Sequence, residues 1–517
     1  WLDWMVSYAE RPMRGPAAVV DCCGAATVIR RAEILRRVYR LYPTRVEDRF
    51  GNYVTYTWSG NNLTAITASD GRSITLNYSG GRIASATAGT RTSQYGYTEG
   101  LLTSVIQPDG STWGFSTSAM VNLRRFVPLT TDTFDYPTRC QLMRTLAGDE
   151  ADLVMVHPSG AQGVYRLGYN RLFRTNLDGS TGMCGEANAP DGVQITWRER
   201  QPLVPVRSDV LAVKQKTLSG PGLPAGQTWQ FQHQDAYQYK MPEGYPIDGT
   251  RTVTTTRPDG GTVVEIFGTD ALVNEAQLLS REVREGSTVL TRQENTYLQT
   301  SQVAAMPFPD WMGEPLAYDY VRGRGEYNRP MTSSKVVQQG ASFFSTTTGF
   351  DVLARPTQAT ERSELVTPGV TSYSQTVATV YEDNTAAWVL GQTKQRSVNG
   401  VVAEATTYSP TSALPLTKSA FGKLQQTFTY NANGTLATVR DGNNNVITVS
   451  DWHRGIPRLI QYPATPEAPT GSSQSATVND NGWITSVTTE TGDTTCYGYD
   501  AVGRLNKLAQ PSEPTVG

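Results

Sequence analysis

Apolar and polar residues alternate along most of this chain, a pattern typical of strands that bury one face. In residues 54–58 apolar and aromatic residues alternate with threonine, and residues 74–78 repeat the pattern. Between them stands Asp70-Gly71, a pair that predicts a two-residue type I′ hairpin turn, in which both central residues have positive φ. The sequence therefore predicts an all-β chain of antiparallel hairpins that form an extended, curved sheet.

An aromatic anchor recurs in these hairpins at a nearly constant interval. Tyr56, Tyr78, Tyr97 and Phe115 lie 22, 19 and 18 residues apart, and the pattern returns near the end of the chain. A period near 20 residues indicates a repeat architecture, in which each unit buries its apolar face by stacking on its neighbours. The predicted structural anchors of the repeats are Tyr56, Asp70, Gly71, Tyr78, Tyr97, Asp109, Gly110, Tyr430, Gly434, Leu436, Tyr499, Asp500, Gly503, Arg504 and Leu505.

The clarity of the repeat divides the chain into four segments. Residues 38–119 and 346–517 are predicted repeat sheets, and residues 120–345 are a divergent β-rich region that loses the period. Residues 1–37 are expected to be irregular or weakly helical, because several of their apolar residues are spaced near 3.6. The alternative for that segment is an earlier start of the sheet, and strand is favoured from residue 38 onward.

Composition limits the classes of function. With 517 residues the chain exceeds the size of one compact core, so several domains or one elongated array are expected. Charged residues make up 18% and the net charge is −2, which gives no reason to expect a nucleic-acid partner. No apolar run is long enough for a transmembrane helix. Because the chain begins at Trp1, without Met or a signal segment, we expect a piece of a longer protein.

Candidate catalytic and metal-binding residues are few. Five cysteines are scattered and odd in number, and His157, His233 and His453 lie outside any nucleophile motif. The run 441–445 (Asp-Gly-Asn-Asn-Asn) opens like a calcium loop, but Val446 stands where an EF-hand requires Gly, so a hairpin turn is favoured. We expect no catalytic, cofactor or metal site, and therefore no enzyme.

Three runs carry a resemblance to a known family: Tyr499-Asp500-x-x-Gly503-Arg504-Leu505, Tyr430-Asn431-x-x-Gly434-x-Leu436 and Asp48-Arg49-Phe50-Gly51-Asn52. They resemble the tyrosine–aspartate (YD) repeats of the RHS family, which includes bacterial polymorphic toxins, wall-associated proteins, shell subunits of insecticidal toxin complexes and the teneurins. The resemblance implies a spiral β-shell in which the repeats are wall. It also implies secretion or surface display, and as partner the remainder of a longer RHS polypeptide or its encapsulated C-terminal domain.

The chain departs from the family pattern at several positions. Phe115 and Phe350 replace Tyr, Val478 stands where a Tyr is expected, and Leu353 is interpreted as the residue in the place of the turn glycine. The repeats are therefore expected to be irregular.

The leading hypothesis for function is a structural shell segment that encloses or presents a polypeptide, as in toxin delivery. A binding module is the alternative, an adhesin whose aromatic and hydroxyl-rich wall holds a surface glycan or a protein. An enzyme comes third.

Overall fold

The structure is a computed structural model that describes residues 2–17, 30–123, 150–173, 207–223, 226–235, 249–270, 273–312, 326–365 and 373–511. Strands dominate these ranges, and their helices are two 3-10 segments, Ser118–Leu123 and Thr300–Ala305. Thirty-two of the described strands pair in antiparallel ladders, while the other two form a short separate pair. The prediction of an all-β, antiparallel chain is confirmed.

The chain divides into two compact units. Unit 1 consists of residues 1–113, 380–397 and 401–517, and unit 2 consists of residues 114–379 and 398–400. Unit 1 therefore combines repeats from both ends of the chain.

Unit 1 contains two series of strands. The early series is β1 (Leu2–Ala17), β2 (Arg30–Glu47), β3 (Tyr53–Ser59), β4 (Asn62–Ala68), β5 (Ser73–Ser79), β6 (Arg82–Ala88), β7 (Arg91–Thr98) and β8 (Leu101–Ile106), followed by β9 (Thr112–Ser116), which crosses the unit boundary.

The strands of unit 2 follow in chain order. They are β10 (Glu150–Val156), β11 (Gln162–Phe173), β12 (Arg207–Ser219), β13 (Gln227–Asp235), β14 (Thr250–Thr256), β15 (Thr262–Gly268), β16 (Leu278–Glu285), β17 (Thr288–Tyr297), β18 (Trp311–Met312), β19 (Glu326–Tyr327), β20 (Met331–Gln338), β21 (Ala341–Phe350) and β22 (Pro356–Leu365), with β23 (Tyr373–Asn384) at the boundary.

The late series returns to unit 1. It comprises β24 (Val389–Val398), whose last residue belongs to unit 2, β25 (Val401–Tyr408), β26 (Pro415–Ala420), β27 (Lys423–Tyr430), β28 (Leu436–Asp441), β29 (Val446–His453), β30 (Ile456–Gln461), β31 (Ser473–Val478), β32 (Ile484–Thr488), β33 (Thr494–Tyr499) and β34 (Leu505–Ala509).

The expectation of irregular or weakly helical structure in residues 1–37 is wrong where the structure describes them. Strands β1 and β2 pair antiparallel from Leu2 opposite Val46 to Ala17 opposite Arg30. A partner strand supplies hydrogen bonds that the periodicity of one segment does not reveal, so pairing outweighs local pattern. Residues 1 and 18–29 lie outside the described part.

The two faces of the unit 1 strands differ in chemistry. Aromatic and aliphatic residues lie opposite one another on one face, for example Tyr56 opposite Ile66 and Phe428 opposite Val439. On the other face threonines pair across strands, and the hydroxyls of Thr87 and Thr92 lie 3.0 Å apart. Most of these apolar side chains are only half-buried, and among the described residues eleven hydrophobic ones are buried. Stability therefore depends on repeated contacts between neighbouring hairpins more than on a deep core.

Candidate functional site

An aromatic side chain near the end of a strand bonds each of several hairpins to the hairpin before it. The Tyr78 hydroxyl donates to the carbonyl oxygen of Leu63 at 2.9 Å, and the Tyr97 hydroxyl donates to that of Ile83 at 3.0 Å. The late strands repeat the bond at Tyr408 to Thr393 (2.7 Å), Tyr430 to Pro415 (2.8 Å) and Tyr499 to Ile484 (2.8 Å). Each bond contributes roughly 1 kcal/mol of net stability.

A β-bulge places each of these tyrosine anchors. The register shifts between Asn77 and Tyr78, which sets Tyr78 opposite Ile83, and the carbonyl of Ile83 accepts the hydroxyl of Tyr97. Tyr430 and Tyr499 lie at equivalent shifts. Because a bulge bends the strand and re-aims its side chain, the anchor ring reaches back across the preceding hairpin. The turns that follow the anchors form what we term the anchor edge of each series.

The anchor on β3 is Trp58, two residues beyond Tyr56. Trp58 lies at the bulge opposite Leu63, and its indole nitrogen donates to the carbonyl oxygen of Pro43 at 2.8 Å, whereas Tyr56 lies in regular register opposite Ile66. Side chains two residues apart share a face of a strand, so alternation alone does not separate the two positions. Trp452 is a further anchor that the sequence interpretation missed, and it donates to Leu436 at 3.0 Å. An indole N–H replaces the phenol O–H, a substitution that a search for tyrosine does not find.

The Tyr-Asp repeat at 499–504 forms a compact turn around the Asp500 carboxylate. Its Oδ1 accepts the backbone N–H groups of Val502 and Arg504, at 3.0 and 2.9 Å, and its Oδ2 accepts Nε of Arg504 at 2.6 Å. Burial alone would raise the pKa of Asp500, but the hydrogen bonds from Arg504 and Val502 hold it below its usual value. Leu505 begins the return strand opposite Tyr499.

The glycines of this turn class are required for two reasons. Gly503 has φ +91°, and a Cβ there would lie 2.7 Å from the ring of Trp483; Gly434 has φ +82°, and a Cβ there would lie 2.8 Å from the ring of Phe50. A side chain would therefore meet both backbone strain and a ring. Leu436 follows Gly434 and lies opposite Tyr430.

The turn at Asp70-Gly71 is not the predicted type I′ turn, and the turn at Asp109-Gly110 has the same geometry as the turn at Asp70-Gly71. Glycine alone has positive φ in each pair, +87° at Gly71 and +80° at Gly110. The Gly71 N–H donates to the carbonyl oxygen of Ala68, which marks a longer loop, a four-residue turn that ends in a left-handed glycine. Asp70 uses its carboxylate inside the loop and accepts the N–H of Arg72 at 3.1 Å.

The interpretation of Leu353 as the residue in the glycine position is also wrong. Ala354 occupies that position with φ +60°, and Asp351 accepts the N–H groups of Leu353 and Arg355 in the same way as Asp500 does in its turn. Counted from Phe350, Ala354 stands four residues along, as Gly503 does from Tyr499. The sequence interpretation therefore placed the equivalent of the turn glycine one residue too early.

In unit 1, turns of the late series lie against turns of the early series along a line that we term the turn seam. Arg454 donates to the carbonyl oxygen of Asp70 at 2.7 Å and lies 3.1 Å from its carboxylate, and Arg504 lies 2.8 Å from the carboxylate of Asp109. Between them, the Arg91 guanidinium lies 5.0 Å from the centre of the Trp483 ring, within cation–π range.

The turn seam keeps a constant register. Its contacts, in order, are Phe50 with Gly434, Asp70 with Arg454, Arg91 with Trp483 and Asp109 with Arg504. The partners in the two arginine–aspartate contacts are 384 and 395 residues apart in sequence. Hairpin follows hairpin in the same order on both sides, so the seam joins two rows of repeats edge to edge. The anchors bond successive hairpins, and the seam arginines bond the two rows, so both have a structural role.

The acidic side chains at the seam favour their charged form. Burial alone would raise the pKa of Asp70, but hydrogen bonds from Arg72 and Arg454 hold it below its usual value. The hydroxyl and N–H of Ser111, followed by the charge of Arg504, lower the pKa of Asp109. The seam therefore presents carboxylates to arginines at neutral pH.

Other residues considered for chemistry have local roles. The Asp441 carboxylate accepts the N–H groups of Asn443 and Asn445, both at 2.8 Å, as expected for a hairpin turn. His157 lies in a turn where its Nδ1 accepts the N–H of Ser159, and His453 lies 3.5 Å from Asp480. Within the described ranges, no cluster of three His, Cys, Asp or Glu side chains is arranged to hold a metal ion. Of the helices in those ranges, none is long and apolar enough to cross a membrane.

Comparison with known proteins gives one family and several structures. The family model described as RHS Repeat matches residues 478–513. A search of the curated proteins found no match. Similar solved structures include TcdB2-TccC3-Cdc42, with a TM-score of 0.39 and 9% identity over 98% of this chain. They also include a Photorhabdus luminescens Tc holotoxin pore with a TccC3 mutation, with a TM-score of 0.31 and 10% identity over 98% of this chain. This chain spans 25% and 26% of the length of those chains.

The matched residues begin at Val478 and contain the anchor Tyr499, the Asp500 turn and the seam arginine Arg504. The RHS Repeat model therefore covers the Tyr-Asp repeat at 499–504, and the resemblance of this chain to the RHS/YD-repeat family is confirmed.

Proposed function

We propose that this chain is part of the wall of an RHS-type β-shell that encloses or presents a polypeptide, in a toxin-delivery protein that is secreted or displayed at the cell surface. The anchor positions Tyr78, Tyr97, Tyr430 and Tyr499, together with Trp58 and Trp452, serve this wall as bonds between successive hairpins. On this proposal the partner is the remainder of a longer RHS polypeptide or its enclosed C-terminal domain.

The turn seam is the observation that carries the proposal. A single row of strands of six to eight residues is only about 20–27 Å wide. Joining the early and late rows edge to edge makes a wall wider than any one strand. Arg454 is well placed for this role, since its side chain is only 12% exposed and contacts both Asp70 and Asp480.

A protease-protection experiment tests the enclosing function. A disordered, protease-sensitive reporter segment is fused after Gly517, and the same reporter is fused to an unrelated carrier protein. We expect slower cleavage of the reporter on this chain, and faster cleavage when Arg454→Glu and Arg504→Glu are combined. Equal cleavage on chain and carrier would contradict the enclosing function.

The matched control is Arg458→Glu. Arg458 forms an ion pair with Asp451 at 2.5 Å, within its own hairpin rather than across the seam. This variant removes a surface arginine of the same series and should leave reporter cleavage unchanged. If it accelerates cleavage as much as the seam variant does, loss of charge rather than opening of the seam explains the result.

A further inference from the structure

The late series of unit 1 has a second row of turns, at the strand ends away from its anchor edge. It includes Phe421-Gly422, the loop 441–445 and the loop 489–493, and we term it the outer row. Phe421 is 71% exposed and Leu424 beside it is 48% exposed, although both are large apolar residues. Residues 442–445 and 490–493 are also exposed.

The loop 441–445 of the outer row reproduces the chemistry of the turn at 48–52, an early turn that the seam covers. Asp441 and Asn445 make the same bonds as Asp48 and Asn52: the carboxylate accepts the N–H and the side-chain amide of an asparagine four residues on. Phe421 and Phe50 also correspond, because each lies in the turn before an anchor strand, the strand of Tyr430 or that of Trp58. In the seam Phe50 packs on Gly434, whereas Phe421 is exposed.

The early series carries the matching row. Its anchor edge consists of the turns at 60–61, 80–81 and 99–100, and the corresponding edge of the late series is the one that enters the seam. Gly80 and Gly81 have φ of +57° and +76° with open space above them, so an aromatic ring can approach. Arg82 follows Gly81 as Arg504 follows Gly503, and its guanidinium bonds to the carbonyl oxygen of Gly100 at 3.1 Å.

We propose that the outer row of one chain docks the early anchor edge of a second copy and so continues the seam from chain to chain. Phe421 packs on the glycines of the 80–81 turn, and Arg82 faces the acidic residues of the outer row, which include Asp441 and Glu490. The two surfaces are different, so the contact is heterologous. A dimer still has one free edge of each kind, and association therefore does not stop at a dimer. The proposal does not depend on what the wall encloses.

Two single substitutions test it by sedimentation velocity. Phe421→Asn changes the outer row, and because Phe421 has φ +48°, where Asn is tolerated better than most residues, the variant should fold. Arg82→Glu changes the early anchor edge. We expect the unsubstituted chain to form dimers and larger species as its concentration rises to roughly 100 µM, by mass action. Each variant should bind itself at least about tenfold more weakly, a loss of 1.4 kcal/mol.

Mixing the variants is the decisive step. Each retains the edge that the other has lost, so an equimolar mixture should form a dimer and nothing larger. Leu223→Asn is the control, an exposed turn residue of unit 2 that should leave association unchanged. A chain that stays monomeric at the highest concentration overturns the proposal. So does a mixture that does not dimerise, or association that the two substitutions do not weaken while circular dichroism shows both variants folded.

Discussion

The repeats of unit 1 and the corresponding strands of unit 2 share the anchor at a bulge but differ in the turn that follows it. In unit 1 Tyr499 lies opposite Leu505, five residues of turn away, and neighbouring hairpins bond through phenol and indole groups. In unit 2 Tyr297 still bonds to Leu278 from a bulge, but its partner across the ladder is Met331. The segment 298–330 replaces the turn there. An aromatic residue at a bulge and a backbone acceptor are therefore enough for an anchor, and the Tyr-Asp turn sequence is not required.

That replaced turn brings a small core of its own. Leu298, Val303 and Phe308 are buried together, and Met306, Phe350 and Ala354 pack against them. Nearby strands of unit 2 also carry a buried charge, as Glu282 lies between Arg284 and Arg292. Burial alone would raise the pKa of Glu282, but its hydrogen bonds to the two arginines hold it below the usual value. Unit 2 therefore concentrates its stability in this cluster, whereas unit 1 distributes it over repeated contacts between hairpins. Single substitutions in the two units should differ in their effect on stability.

The largest effect is expected for Leu298→Ala. Leu298 is 2% exposed in the unit 2 cluster, so truncation leaves a cavity and should lower the free energy of unfolding by about 3 kcal/mol. The matched change in unit 1 is Leu505→Ala, at a repeat anchor that is 55% exposed, with an expected loss below roughly 1 kcal/mol. Urea unfolding of both variants measures the contrast. Equal losses would show that stability is not concentrated in the cluster.

A second pair exchanges the turn residues of the two units. Gly503→Ala should cost about 2 kcal/mol, because alanine is strained at φ +91° and its Cβ would meet Trp483. Ala354→Gly relieves left-handed strain at φ +60° and should change stability by less than about 1 kcal/mol, since the lost methyl contact with the cluster offsets the gain. Thermal unfolding of the two variants measures whether Gly503→Ala has the larger effect. A tolerated Gly503→Ala would remove the reason given for that glycine.

The anchor hydroxyl should have a smaller effect. Tyr430→Phe keeps the ring but leaves the carbonyl of Pro415 without its phenol donor, which should cost about 1 kcal/mol. Burial raises the pKa of Tyr430, consistent with a phenol held away from water. The control is Tyr373→Phe, at a residue that is 59% exposed and whose hydroxyl donates to Gln375 two residues away. If both variants lose the same stability in urea, the bond to the preceding hairpin contributes nothing specific.

The sequence predicted the strands and the repeat period because alternation and turn residues are local signals. It chose Tyr78, Tyr97, Tyr430 and Tyr499 as repeat anchors, and the structure shows their bonds to the preceding hairpin. It chose Tyr56 over Trp58 because both share one face and only the bulge separates them.

The turn seam was beyond local inference. Its partners are nearly 400 residues apart, and Arg454 carries no signal that distinguishes it from other turn arginines. The cluster around Leu298 was also missed, since its segment interrupts the period on which the repeat prediction depended. Contacts between rows that are far apart in sequence depend on the long-range path of the chain, which a pattern in one sequence does not show.

The smallest expected effect is on pH dependence, and it compares the carboxylates of equivalent turns. Burial alone would raise the pKa of Asp351, but hydrogen bonds from the Arg355 side chain and from the N–H groups of Arg355 and Leu353 hold it below 3.8. A lowered pKa in the folded state means that the charged form adds stability above pH 4. That stability is lost as the pH falls through 3.8 towards the lowered value.

Asp351→Asn should therefore destabilise the chain at pH 7 and make less difference near pH 3. Asparagine can still accept the two N–H groups, as Asn479 does in its own turn, so only the ion pair to Arg355 is removed. In unit 1 the same change at Asp500 should have a smaller effect. The Arg504 side chain is 61% exposed against 21% for Arg355, and water screens an exposed pair. Urea midpoints at both pH values for the two variants measure this. A pH dependence that is larger for Asp500→Asn would mean that the contact of Arg504 with Asp109 across the seam stabilises its turn more than burial stabilises the turn of unit 2.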